Sequence, residues 1–230
     1  MISKIIHTGS APMVELELEH GESIKAESGA MVSMSSTVDV DGKMEGGLFA
    51  GIGRMLAGEK FFFQTLTANR GRGKVLLAPS CLGDIEEIDL DGSYGLIVQK
   101  DGFLAGTQDI NVSTQMQNLS KGFFSGEGFF VLNISGRGKV FVNSLGAIHS
   151  IQLAPGEEVI IDNGHLVAWA DSTKYRIEKA SKGWISSVTS GECLVCRFTG
   201  PGLVLIQSRN PHAFAEWIQG YIPPNNNNRR

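Results

Sequence analysis

Short apolar runs rich in Ile, Val, Leu and Phe alternate along most of the chain with glycine-centred polar breaks. Runs of about four to eight such residues, bounded by turn residues, predict β-strands buried on at least one face. The exception lies at the C-terminal end. Asn210-Pro211 supplies an N-cap and a first-turn proline, Phe214, Trp217, Ile218 and Tyr221 share one helical face, and Gly220 marks the stop. This predicts a short amphipathic helix over 211–220, packed on the sheets, followed by a disordered Pro- and Asn-rich tail over 223–230.

The strand pattern repeats. Gly21-Glu22, then Ser28-Gly29-Ala30-Met31-Val32, reappear without a gap as Gly156-Glu157, then Asn163-Gly164-His165-Leu166-Val167. Between them, Gln99-Lys100-Asp101-Gly102-Phe103-Leu104-Ala105 carries the same strand-turn-strand pattern. A second motif follows the first each time: Gly71-Arg72-Gly73, Gly136-Arg137-Gly138 and Gly200-Pro201-Gly202, at steps of 65 and 64 residues. Two motifs recurring three times in one order define three units, about 1–85, 86–150 and 151–210, within a single domain over 1–222. Ser-Gly, Asp-Gly and Asn-Gly supply the positive φ of a two-residue hairpin, and Gly-x-Gly reads as a further turn feeding a strand. One hairpin pair does not bury its own apolar face, so the three units are expected to close around a shared core.

Composition narrows the class. At 230 residues with 42% hydrophobic content, the chain builds a core without disulfides or a metal. A charged fraction of 19% and 29 glycines suit many short strands joined by tight turns. The net charge of −4 argues against binding nucleic acid through phosphate neutralisation. Three cysteines, Cys81, Cys193 and Cys196, are no disulfide framework and point to a reducing compartment. No apolar window is long enough to span a bilayer, so a cytoplasmic location is expected.

With these motifs in view, the chain resembles the bacterial and archaeal relatives of the "altered inheritance of mitochondria" proteins. The likeness rests on Glu27-Ser28-Gly29-Ala30-Met31, Gly46-Gly47 followed by Gly58-Glu59-Lys60-Phe61-Phe62, and Phe103-Leu104-Ala105. It extends to Gly126-Glu127-Gly128-Phe129-Phe130 and Ile206-Gln207-Ser208-Arg209, and covers 2–224. The resemblance implies a fold like that of the tryptophan RNA-binding attenuation protein: all-β, a sandwich of stacked antiparallel sheets in three internal pseudo-repeats, with a short C-terminal helix. It implies no activity and no catalytic residues, and a fold name does not make an RNA binder.

Candidate chemistry is sparse. The apolar, Gly-rich segment 46–58 offers Phe49, Ile52 and Leu56 to a lipid surface, a ligand or a neighbouring subunit, and Phe123-Phe124 occupies the equivalent place in the second unit. The basic turns offer Arg72, Lys74, Arg137 and Lys139 to an anion, although neither has P-loop spacing and the third copy lacks the charges. In Cys193-Leu194-Val195-Cys196 the thiols diverge if the segment is a strand, which speaks against zinc or redox work. His149 and His165 form the one histidine pair that neighbouring strands bring together in this reading. No catalytic set, cofactor motif or metal spacing is present. These readings favour a non-enzymatic, homo-oligomeric scaffold or binding module of unknown function, with no cofactor. The alternative is a peripheral membrane protein using 46–58, ahead of an enzyme or an RNA binder.

Overall fold

The computed structural model describes residues 1–9, 11–41, 63–117, 129–179 and 194–223. Strict alternation places the first strands. In β2 (Met13–Leu18), Val14, Leu16 and Leu18 are fully buried, and the two glutamates between them lie nearer solvent. The strand β3 (Ser23–Glu27) buries Ile24 and Ala26 in the same rhythm.

One plan is used three times, with two three-stranded antiparallel sheets per unit. In the first unit β2 and β4 (Met31–Met34) flank β7 (Gly73–Leu77), and β1 (Ile2–Ile6) pairs with the outer side of β2. Its other sheet sets β3 and β5 (Asp39–Asp41) around β6 (Phe63–Thr67). The third unit matches strand for strand. Its β13 (Ile148–Leu153) and β15 (Leu166–Ala170) flank β18 (Gly202–Gln207), while β14 (Glu158–Asp162) and β16 (Lys174–Lys179) flank β17 (Leu194–Thr199).

The second unit completes the plan with one strand fewer, because β12 (Phe129–Asn143) runs through both of its sheets. Residues 129–136 pair with β11 (Ile110–Gln117) and, on the other side, with β9 (Leu96–Gln99). Residues 137–143 pair with β8 (Ile85–Asp91), and β10 (Phe103–Thr107) takes the opposite side. The units are then stitched together by main-chain ladders. The strand β10 pairs with β3, matching Ala105 to Ala26, and β15 pairs with β9, matching Ala168 to Val98.

The fold is all-β with stacked antiparallel sheets, as the pattern of apolar runs implies. The expectation of one shared core is corrected: the interior is three clusters, one per unit. Leu16, Leu18, Ile24, Leu66 and Leu77 fill the first. Phe103, Ile110, Leu132 and Val140 fill the second. Trp169 and Phe198 anchor the third, with ring centroids 5.5 Å apart and edge-to-face. Side chains cross between clusters at the ladders: Leu104 and Ala105 enter the first, and Val167, Ala168 and Leu205 enter the second.

Two turn readings also change. The breaks at Gly29, Gly102 and Gly164 are corners between sheets rather than hairpins, since β3 pairs with β6 and β10 while β4 pairs with β7. Only Gly29 takes a positive φ, +93°; Gly102 and Gly164 lie in short 3-10 turns, Lys100–Gly102 and Asn163–His165. The second Gly-x-Gly is no turn either. Gly136 and Gly138, at φ +112° and +145°, lie inside β12 where it passes from one sheet to the next.

The helix α1 (Pro211–Gln219) forms where expected, with the Asn210 side chain accepting from the His212 N–H at 2.9 Å. It does not bury its apolar face on the sheets. Trp217 is 60% exposed; Phe214 stacks on it at 5.9 Å, and Tyr221 meets it edge-to-face at 5.2 Å. The inner faces of the sheets are already covered by their partner sheets.

A methyl group at Gly138 would lie 2.0 Å from Thr107 Oγ1, and one at Gly202 would lie 1.9 Å from Thr173 Oγ1. Gly138→Ala is therefore expected to destabilise the protein by more than about 2 kcal/mol in urea unfolding. Gly156→Ala, at a positive φ but with open space around it, is the milder control.

Candidate functional site

The connections between units converge on one another. Ser144 N–H donates to Asp84 O at 3.1 Å, Gly146 N–H to Leu82 O at 2.9 Å, and Ser208 N–H to Ala147 O at 2.9 Å. The two 3-10 turns and the start of α1 lie around this braid, and together they enclose a cavity of about 560 Å³. Its polar wall is Cys81, Gln99, Asp101, Asn143, Asn163 and Gln207, and Leu82, His212 and Phe214 also line it.

The wall has an internal logic. Asn143 ends β12 and Gln207 ends β18, one repeat step apart. Each uses its side-chain amide to hold the 3-10 turn of its own unit: Asn143 Nδ2 donates to Asp101 O at 3.0 Å, and Gln207 Nε2 donates to Gly164 O at 3.0 Å. In the first unit the equivalent position is Ala78, whose backbone N–H donates to Ala30 O at 2.8 Å. Gln207 Oε1 in turn accepts from the Leu145 N–H at 2.9 Å.

Asp101 is the one carboxylate of the lining, and Glu27 lies near it outside the lining. Burial, and then the neighbouring Asp101 carboxylate, push the Glu27 carboxyl up to about 7. Burial also raises the Cys81 thiol above its ordinary value, against the opposing hydrogen bond from Asn143 Nδ2 at 3.2 Å. Cys81 Sγ–H donates to Ser144 O at 3.2 Å. This is a thiol held neutral at pH 7, without the activation a nucleophilic cysteine requires. Among the described residues, no group of three or more His, Cys, Asp or Glu is placed to hold a metal.

The basic turns lie elsewhere and apart from one another. Arg72 reaches Glu17 at 2.6 Å and Glu19 at 3.3 Å, and Lys74 reaches Glu17 at 2.8 Å. The hydrogen bond from Lys74 holds the Glu17 carboxyl below the usual range. One unit on, Lys139 pairs with Glu87 and Arg137 lies near Asp91. These cations face acidic side chains of β2 and β8, in two separate places. Phe49, Ile52, Leu56, Phe123, Phe124 and Cys193 lie outside the described residues. Cys196 is buried in the third core, its thiol pushed up to about 12 by desolvation. The strand β18 separates the strand of His149 from that of Leu166, and His165 Nδ1 lies 2.7 Å from Gln207 O.

The sequence reading missed the cavity wall because its members sit in connections and strand ends as ordinary polar residues. Two weak signals were present: an amide at 143 and again at 207, and Asp101 and Asn163 each directly before a glycine.

These features define an all-β protein of three fused two-sheet units with a polar cavity at their junction. The chain belongs to the AIM24 family, described as mitochondrial biogenesis AIM24, whose family model matches residues 3–209. A relative from Streptococcus pyogenes serotype M6, described as an uncharacterized protein, is 34% identical over 223 residues, spanning 94% of this chain and 89% of the relative. The X-ray crystal structure of a Streptococcus pyogenes protein, a structural genomics target, superposes with a TM-score of 0.79 at 34% identity, over 96% of this chain and 99% of that one. Among the described residues no helix is long and apolar enough to cross a membrane.

With a folded value near 7 against an ordinary value of 4.5, Glu27 favours folding while protonated, and that contribution fades as pH rises through this window. Glu27→Gln is expected to raise stability by about 1–2 kcal/mol at pH near 8, discounted for partial exposure, with no gain below pH of about 4.5. Thermal melts of the two proteins across that range measure it.

Proposed function

We propose that the protein is a non-enzymatic scaffold that assembles head to tail through two strand edges, β4 of the first unit and β14 of the third. The observation that carries this reading is the ladder already used twice inside the chain. The third strand of a unit pairs with the second strand of the unit before it, as β10 does with β3 and β15 with β9. Among the described residues, β4 and β14 are the two members of that set without such a partner. Other edges differ, because among the described residues β8, β11, β13 and β16 have no outer partner in either unit that carries them.

Exposure follows the same division. Phe103, Leu104 and Ala105 of β10 are buried, as is every residue of β15. In β4, Val32 is 53% exposed and Met34 39%. Carrying the internal register across sets Ser33 against Ile161 and Met34 against Ile160. A second copy supplies the missing strand at each end, and repetition of such a heterologous contact gives a ring or a filament. A fold like that of the tryptophan RNA-binding attenuation protein belongs to this proposal, supported by sheets that continue from one unit into the next. So does a cytoplasmic location, supported by the free cysteines Cys81 and Cys196.

Native mass spectrometry and sedimentation are expected to find an oligomer at micromolar concentration. Met34→Lys alone breaks it to monomers, and the Met34→Lys, Ile160→Glu double variant restores association through the facing pair. A wild-type protein that stays monomeric sinks the reading.

A second reading, peripheral contact with a lipid surface, is favoured by the exposed aromatic face of α1. Trp217, Tyr221 and Ile222 are all at least 60% exposed, and indole and phenol rings suit the headgroup level. Wild-type protein is then expected to float with anionic vesicles, and a Trp217→Ala, Tyr221→Ala double variant to remain at the bottom of the gradient. Absence of wild-type flotation at low salt removes it.

A further inference from the structure

We infer that α1 is a docking helix for a second copy of this chain, laying its aromatic face on the first unit of the next molecule. This rests on the head-to-tail reading and adds to the two strand edges the surface that seals their contact.

The repeat plan sets where α1 stands. After β7 the chain crosses into β8, the first strand of the second unit, and after β12 it crosses into β13, the first strand of the third. After β18 it enters α1 instead, with only Ser208, Arg209 and Asn210 between. The two later connections are braided alike, since Ser208 N–H donates to Ala147 O and Gly146 N–H to Leu82 O, both at 2.9 Å. The helix therefore begins where a following unit would begin. It continues an interface between units that the chain builds twice within itself.

Large exposed apolar side chains gather at the two ends that such a contact joins. Ile2, Val32, Met34 and Val40 are exposed on the first unit, and Trp217, Ile218, Tyr221 and Ile222 on α1 and the turn after it. Among the described residues from 83 to 210 there is no exposed large hydrophobic side chain. The middle unit and the body of the third, which have neighbours within the chain or no use for one, are polar outside.

The helix also needs a partner on its own account. It is nine residues long with none buried, and a helix that short is marginal in water. Inside the chain, each boundary between units is sealed by side chains that enter the neighbouring core, Leu104 and Ala105 at one and Val167 and Ala168 at the other. Between copies, β4 brings Val32 and Met34, and Trp217 and Tyr221 add rings of the kind that anchor protein interfaces. A lipid surface would accept the same rings but leaves the matching exposed set on the first unit without a reason. A second copy accounts for both.

The test uses the full chain. Sedimentation over a concentration series is expected to show the Trp217→Ala, Tyr221→Ala double variant associating at least ~10-fold more weakly than wild type, as loss of two aromatic anchors should. Ile2→Asp, an exposed change on the receiving unit, is expected to weaken association as well. Tryptophan emission of the wild type is expected to move to shorter wavelength as the oligomer forms. Trp217→Phe keeps an apolar ring, still associates, and diminishes that shift. A double variant that associates as tightly as wild type, in a protein that Met34→Lys still breaks to monomers, overturns the docking helix and leaves the strand-edge contact standing. Unaltered association joined to lost flotation with anionic vesicles overturns it too and gives the face to lipid. A wild-type protein that stays monomeric removes both readings.

Discussion

The architecture depends on a short stretch of main-chain pairing: the ladder in which the third strand of one unit joins the second strand of the unit before it. Each ladder is only three residue pairs long. On its own so brief a contact would be marginal, because a few hydrogen bonds exchanged with water stabilise little. It holds because burial runs alongside it. The residues flanking each ladder enter the neighbouring core, so separating two units would strip Leu104 and Ala105 from one cluster or Val167 and Ala168 from another. Hydrogen bonding sets the register, and the hydrophobic effect supplies the strength.

The cavity follows from the same construction. Sheets that continue across unit boundaries leave the connecting segments nowhere to run except past one another, and their main-chain groups must be satisfied there. Asn143 and Gln207 do this for the 3-10 turns of their own units, each reaching back to a carbonyl. A region built to satisfy carbonyls accumulates amides, and Gln99, Asn143, Asn163, Gln207 and Asn210 all line the cavity. Beside this region the Glu27 carboxyl is raised, chiefly by its burial and then by the Asp101 carboxylate.

The sequence carried the fold further than the site, for a physical reason. Alternation in β2 and β3 and the spacing of the Gly-x-Gly motifs record local requirements, which a linear reading detects. The same glycines misled over turns. Gly102 would place a methyl group 3.1 Å from Val98 and 3.2 Å from the Val167 carbonyl, and Gly164 would place one 2.1 Å from Asn210 Nδ2. Both are there for close approach between distant segments, not for a positive φ, and that requirement is invisible until the segments meet. The helix shows the converse. Its cap was legible from Asn210 and Pro211, but whether any sheet face remained to receive Trp217 was decided by the stacking of all three units. The wall of the cavity combines five connections and strand ends, none of which has a pattern of its own.

The strand β12 has a consequence for how the molecule comes apart. Its fifteen residues belong to both sheets of the middle unit, with glycines at the crossing point. The ladder with β9 carries the third unit, and the ladder with β10 carries the first. Opening either sheet at its centre therefore loosens the other. Because Phe141 of this strand sits in the first core and Val131 in the third, neither terminal unit separates at its ladder without stripping a side chain from it. Three repeats in the gene thus become one mechanical element, with a spine in the middle and two arms that share its fate.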